Sequence, residues 1–503
     1  MAADPVKNSS MEESSIPRKD TDVESSNGET AVIAETARVL DHAAEVKLTR
    51  KFDLRILPIL AVMYLFNALD KGNLGNAETA GLSDDLGFKS NQYNIIVSIF
   101  FVPYVLFAPP IAMLGKKFGP SLVLPILMFC FGTMTLLMSS AKNFGGVFAL
   151  RWFLGMAESA FFPLVIYYLT TFYRRGELAR RLALFYAASN IANAFAGLLS
   201  FGVFQIKSHR LESWRYLFII EGGASVLFSV FAYFYLPKSA AEAKFLNAEE
   251  KDLALYRMQV DSSSVVSEKF KLREAVKIFR YPSTYAFLAI EVCLGVPLQS
   301  VSLFLPQIVS ALKYSTVKTN LYTVAPNVTG AVMLLVLAFS SDLLRIRFPF
   351  IVLGFLFTFC GFIIFASIED VTAQIHVAYF ATFMMCWGTS APSVILSTWY
   401  NNNIADENKR ITMTSVGVPL ANLMGLVSSN IFIKKEAPKY ETALITTAVF
   451  GATGAFIAAL TGTYMIWDNA KRNRKAGFKT DARDVPTSKL RDGPSVPEFR
   501  WFL

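Results

Sequence analysis

The chain has 503 residues, of which 53% are apolar, 14% aromatic and only 17% charged, with a formal net charge of +9. A soluble globular protein carries roughly 25% charged residues. Here the shortfall is concentrated between Leu54 and Trp467, in repeated stretches of about 18 or more nearly uncharged residues, each long enough to cross about 30 Å of hydrocarbon. That excludes a soluble enzyme, and it makes the basic balance a matter of membrane orientation before it is one of nucleic-acid binding.

In chain order, residues 1–52 are rich in Ser, Glu, Asp and Thr and lack the basic start and short apolar core of a cleaved signal peptide. They read as a disordered cytosolic tail, which leaves the first span to act as the insertion signal. Spans are predicted near 54–76, 92–114, 121–140, 146–171, 182–206 and 214–236. After a polar stretch come further spans near 284–311, 319–340, 348–368, 375–398, 411–433 and 442–467. The predicted class is therefore an all-α membrane protein, twelve transmembrane helices in two six-helix halves. The predicted divisions are an N-terminal bundle over 53–236, a cytosolic linker over 237–282, a C-terminal bundle over 283–468 and a cytosolic tail over 469–503. In the linker, Asn247 followed three residues on by Glu250 has the form of a helix cap. Leu246, Leu253 and Tyr256 recur there at helical spacing, so a short amphipathic helix on the cytosolic face is expected.

Lys and Arg sort by side: 36 fall in the two tails and the even-numbered loops, and 9 in the odd-numbered loops. The excess puts both termini and the linker in the cytosol. Orientation accounts for the basicity, so no nucleic-acid partner is expected. Cys130, Cys293, Cys360 and Cys386 all lie in apolar runs, which implies no disulfide or zinc framework. No glycine-rich loop ending in Gly-Lys-Ser/Thr is present, so ATP is not the direct energy source. No nucleophile–base or metal constellation is evident either, so neither an enzyme nor a cofactor is predicted. Two six-span halves suit a transporter in which the halves rock about a central site.

Several segments carry a family resemblance. They are Asn67-Ala68-Leu69-Asp70-Lys71-Gly72-Asn73, Arg151-Trp152-Phe153-Leu154-Gly155-Met156-Ala157-Glu158, Tyr173-Arg174-Arg175-Gly176-Glu177 and Trp214-Arg215-Tyr216-Leu217-Phe218-Ile219-Ile220-Glu221-Gly222, then Phe304-Leu305-Pro306-Gln307-Ile308 and Trp399-Tyr400-Asn401-Asn402-Asn403. From about Phe52 to Trp467 the chain resembles the major facilitator superfamily, and within it the anion:cation symporter family in its fungal allantoate and vitamin permease branch. Tyr173 to Phe204 and Trp387 to Asn403 are similar to fungal nicotinate permeases. Two positions depart from the pattern. Lys116 stands where the family often has an acidic residue, which puts a gating charge relay there in doubt. Asp70-Lys71 replaces Asp-Arg, which keeps a cation but loses the planar two-pronged fit to a carboxylate.

Ionisable groups at membrane depth are costly and point to function. Here they are Asp70, Lys71, Arg151, Glu158, Glu221 and Glu291. Seven residues separate Arg151 from Glu158, which puts both on one helix face about 10 Å apart. Asp70 and Arg151 lie at similar depth, and the resemblance places spans 1 and 4 on the central cavity, so an Asp70–Arg151 pair is expected. The resemblance also implies proton coupling through acidic residues: Asp70 and Glu158 would carry the proton, and Lys71 and Arg151 would bind the substrate anion. The rival is a fixed structural pair of Arg151 and Glu158. Glu221 reads as structural, while Glu291 is a cavity candidate. Asn190, Asn193, Gln299 and Asn422 are mid-span amides that suit substrate polar groups, and Tyr167, Tyr168 and Trp387 suit a planar ring. The alternative for the amides is a bond to a neighbouring helix. Gly72, Gly75, Gly155, Gly222 and Gly223 read as points of close helix approach.

The expected function is secondary active transport at the plasma membrane: proton-coupled import of a small organic anion such as nicotinate or a similar vitamin-like monocarboxylate. The expected partners are that anion, a proton and membrane lipid, and the chain is expected to be monomeric. The alternatives are an exporter of an anionic secondary metabolite and, from a different class, a non-transporting nutrient sensor.

Overall fold

The structure is a computed structural model that describes residues 42–89, 91–173, 181, 191–206, 211–260, 273, 276–344, 346–371, 373–480, 482 and 493–503. It divides into two compact units between Lys47 and Leu48. Of the first unit only 42–47 are described, and they open a helix.

A chain in hydrocarbon has no water to satisfy its peptide groups, so helices satisfy them internally. The elements in order are α1 (His42–Arg55), α2 (Leu57–Thr79), α3 (Gln92–Ile99), α4 (Phe101–Phe118), α5 (Pro120–Met138), α6 (Phe144–Glu158), α7 (Phe161–Thr170), α8 (Ile191–Val203) and α9 (Ser213–Tyr235). The linker helix α10 (Ala248–Val260) follows. Then come α11 (Pro282–Ser310), α12 (Thr316–Tyr322), α13 (Val324–Leu344), α14 (Phe348–Ser367), α15 (Ile375–Asn403), α16 (Glu407–Leu423), α17 (Gly425–Ile431) and α18 (Glu441–Ala476). Among the described residues nine helical stretches are long and apolar enough to cross a bilayer. The remaining three predicted places are also helical where described. They are α8, the Thr-, Ser- and Asn-bearing α15, and the pair α16 and α17 broken at Met424. Leu227, Phe234, Phe339, Phe456 and Leu460 stand well exposed. In water such side chains would be an aggregation hazard, and in lipid they meet their own solvent.

Close helix crossings depend on glycine. A side chain at Gly155 of α6 would strike the Phe100 carbonyl, and one at Gly75 of α2 would strike the Leu303 carbonyl of α11. Gly222 lies as tightly on the Leu136 backbone, whereas Gly223 faces open space and Gly72 has ordinary clearance. Close approach therefore explains three of the five glycines. Gly155→Val is expected to cost at least about 1–3 kcal/mol by overpacking against backbone that has nowhere to go. Size-exclusion chromatography of the detergent-solubilised variant reads this as a lost monodisperse peak, and a wild-type peak contradicts it.

The two halves are tied together at the helix ends away from the basic loops. Asn94 Nδ2 donates to the Phe432 carbonyl at 2.8 Å, Asn320 Nδ2 donates to Thr79 Oγ1 at 3.2 Å, and the Tyr93 ring meets the Phe304 ring edge-on at 6.3 Å. The bundle is thus closed on the face of the charge-poor loops.

On the opposite face each half holds a segment of its own. The linker helix α10 begins with the predicted cap, Asn247 N donating to Glu250 Oε2 at 3.1 Å, and docks through Lys51 Nζ to Glu250 at 2.6 Å and Arg257 Nη1 to Thr49 at 3.2 Å. Residues 493–503 pack beneath the second half. There Trp501 Nε1 donates to Asp468 at 2.8 Å, Phe502 N donates to Asn403 at 2.9 Å, and Arg347 N donates to the Leu503 carbonyl at 2.7 Å.

Candidate functional site

Asp70 and Lys71 are adjacent on α2, and at about 100° per residue they look in different directions. Lys71 is partly exposed. Its ammonium lies 6.0, 5.3 and 6.0 Å from the ring centroids of Phe100, Phe101 and Tyr104, within cation–π reach of all three. Arg151 of α6 is 1% exposed, and its guanidinium carbon stands 5.1 Å from the Phe100 centroid. The two cations therefore share one aromatic ring, and the close seat of Gly155 on the Phe100 carbonyl is what brings α6 down onto it. Glu158, two turns along α6 and also 1% exposed, lies within the field of both cations, with the Asn67 side chain beside it.

The structure thus gathers Lys71, Arg151 and Glu158 into one group, with the charge of Asp70 acting on both Arg151 and Glu158. It does not form the expected Asp70–Arg151 ion pair. Asp70, 1% exposed, faces the hydroxyls of Thr135 on α5 and Ser225 on α9 instead, because its neighbour Lys71 takes the side of the helix turned toward Phe100. Nor is there a bonded Arg151–Glu158 pair. Among the described residues, all three guanidinium nitrogens of Arg151, both carboxylate oxygens of Glu158 and both of Asp70 are buried without a hydrogen-bond partner. Leaving a buried charge unpaired costs several kcal/mol. Five N–H donors with nothing to donate to are therefore a place where an anion gains what the protein alone has left unmade.

The other candidates sit elsewhere. Gln299 Nε2 donates to Asn422 Oδ1 at 3.1 Å, and Asn422 Nδ2 donates to the Val418 carbonyl at 3.0 Å, so these amides bond α11 to α16. Trp387 donates its indole N–H to Thr329 at 3.0 Å and packs on Phe357 and the exposed Phe380, on an apolar flank away from the charges. Tyr168 is buried and donates to the Pro237 carbonyl at 2.7 Å, which binds it to the linker. Asn193 is half-buried in a polar crevice with Gly72, Asn76, Ser302 and Asn327. Glu291 is buried on α11 beside Tyr400 and against Gly417. Asn190 lies outside the described residues. Sequence reasoning missed the aromatic floor of Phe100, Phe101 and Tyr104, which looks like any apolar run. It also missed Asn67, although the one-turn spacing from Asn67 to Lys71 is a signal that would have found it.

The fold agrees with what comparison with known proteins finds. The chain belongs to the Major Facilitator Superfamily, whose sequence profile matches residues 60–429. It is 52% identical over 476 residues to an uncharacterized transporter of Schizosaccharomyces pombe, covering 95% of this chain and 94% of that one. It is 31% identical to the high-affinity nicotinic acid transporter of Saccharomyces cerevisiae, over 83% of this chain and 78% of that one. Among solved structures it resembles a bacterial homolog of the human lysosomal transporter Spinster, in an inward-facing and unoccupied conformation. The TM-score there is 0.65 at 13% identity, covering 84% of this chain and 98% of that one. The protein is a multi-pass membrane transporter and not an enzyme.

Proposed function

We propose that the protein is a proton-coupled importer of a small organic anion, a nicotinate-like monocarboxylate, in the anion:cation symporter branch of the superfamily. It would work in the plasma membrane with both termini cytosolic. The observation that carries this reading is the buried Arg151 guanidinium, which has no hydrogen-bond partner among the described residues and stands near Lys71 and Glu158. A monocarboxylate accepts two parallel N–H bonds from a guanidinium fork, and Lys71 adds a second positive charge on the more open side. The aromatic floor of Phe100, Phe101 and Tyr104 gives a planar ring an apolar surface. Glu158 competes with the substrate for the same cations, so an arriving carboxylate favours its protonation, and that exchange links the two cargoes. Asp70 is the second proton carrier. The similarity to a nicotinic acid transporter supports the substrate class.

The test is uptake of labelled nicotinate in cells lacking their own nicotinate uptake, at pH 5 and pH 7.5. Uptake that rises with acidity and collapses with a protonophore is expected. Uptake indifferent to both overturns the coupling, and uptake of other monocarboxylates with none of nicotinate overturns the substrate.

A further inference from the structure

Asp70 has a companion that the charge group does not use. Glu221 of α9 is 1% exposed, and among the described residues neither of its carboxylate oxygens has a hydrogen-bond partner. Two contacts fix the register between α2 and α9. Arg215, at the start of α9, bonds Asp85 just beyond the end of α2 at 2.8 Å, so the helices run antiparallel. One face is marked by Phe66 of α2 on Phe228 of α9, with centroids 5.8 Å apart. One turn beyond Phe66 is Asp70, and one to two turns before Phe228 are Ser225 and Glu221, which share a helix face as an i, i+4 pair. The charge of Asp70 is felt at Glu221, and the hydroxyls of Thr135 and Ser225 face Asp70. Thr135 and Ser225 are themselves buried, at 1% and 0% exposure, and neither hydroxyl has a hydrogen-bond partner among the described residues. Among the described residues, the other charges that act with Asp70 are Arg151 and Glu158 on α6.

We infer that Asp70 and Glu221, with the hydroxyls of Thr135 and Ser225, form one proton-binding site beside the Lys71–Arg151–Glu158 group. Two carboxylates without bonded cations cannot both stay ionised in a dry interior. With one proton held at the site, one carboxyl is neutral and the other ionised, and the two hydroxyls have carboxylate oxygens to donate to. Glu221 then sets how readily Asp70 takes and gives up its proton, and the pair titrates as a unit. This deepens the proton-coupled reading and rests on it for its role in transport, although the shared proton itself is measurable without transport.

Infrared difference spectra of the full-length protein in lipid nanodiscs, titrated from pH 5 to 9, test the shared proton. Asp70→Asn and Glu221→Gln are each expected to alter the same protonated-carboxyl band. In uptake assays Glu221→Gln is expected to move the half-maximal pH about one unit toward acid, since Asp70 loses the neighbour that helps it keep a proton. Separate bands for the two variants, or a Glu221→Gln pH profile that overlays the wild type, overturn the inference. Uptake driven by sodium rather than protons, with sodium dependence lost in Glu221→Gln, also overturns it by assigning the oxygens to a metal cation. If the wild type shows no proton-driven uptake, the transport reading fails, and the band alone then decides whether the proton is shared. Should Glu221→Gln not fold, Ser225→Ala is expected to shift the same band, and an unmoved band overturns the inference.

Discussion

Arg151→Met is expected to cut anion uptake by at least about 100-fold while the melting temperature of the purified protein holds or rises. Each hydrogen bond to a charged group contributes about 1.5–3 kcal/mol. Losing a two-pronged pair of them removes about 3 kcal/mol or more of substrate binding, which is that hundredfold. The stability half of the prediction runs the other way. Among the described residues the guanidinium is buried with its nitrogens unbonded, so it is a burden on the fold. Methionine has a similar reach and no charge to desolvate, so it removes the cost of burying an unbonded cation. Uptake assays paired with a thermal-shift measurement separate the two roles. If the melting temperature falls steeply, Arg151 is scaffolding, and retained uptake removes it from the anion site. Arg151→Lys is expected to fall between, since it keeps the charge and loses the fork.

The second large effect is expected at Asp70. Asp70→Asn is nearly isosteric, and the position is buried among hydroxyls that an amide can also bond, so the fold survives. A neutral amide cannot load and release a proton. Accumulation driven by a pH gradient is expected to collapse to the unconcentrated level. Exchange of labelled for unlabelled substrate should persist, because Lys71, Arg151 and Glu158 are untouched. Counterflow in proteoliposomes alongside gradient-driven uptake measures both. Unimpaired accumulation shows that the proton travels by another group, and loss of both activities shows that Asp70 holds the anion site together.

Much of this architecture is legible in the sequence because hydrocarbon imposes a simple rule. Uninterrupted apolar runs become helices, and the runs from Pro120, Ser213 and Phe348 did so close to the predicted bounds, while the helix from Glu441 continues past its predicted end at 467 to Ala476. The cap at Asn247 and Glu250 was legible for a local reason, since its chemistry lies within four residues. Helix direction was not. Asp70 and Lys71 are neighbours in the chain and part company in space, one toward Thr135 and Ser225 and the other toward Phe100. Matching their depth with Arg151 was therefore not enough to make a pair. Gln299 and Asn422 illustrate a second limit. A mid-membrane amide advertises a polar need, and nothing in a single sequence says whether a substrate or another helix meets it; here each amide meets the other. Trp387 illustrates a third, because an indole suited to ring stacking serves equally well bonded to Thr329 on an apolar flank. The group that did assemble, Lys71 with Arg151 and Glu158, combined rare residue types with a helical spacing that left little choice of face.

The central claim is that carboxylate and proton enter together through that group. The most direct measurement is the pH outside weakly buffered proteoliposomes that hold the purified protein, with no gradient imposed, when nicotinate is added. The account predicts that the external medium turns alkaline as the anion enters, and that Arg151→Met abolishes the change. Nicotinate entry with no movement of external pH would contradict it.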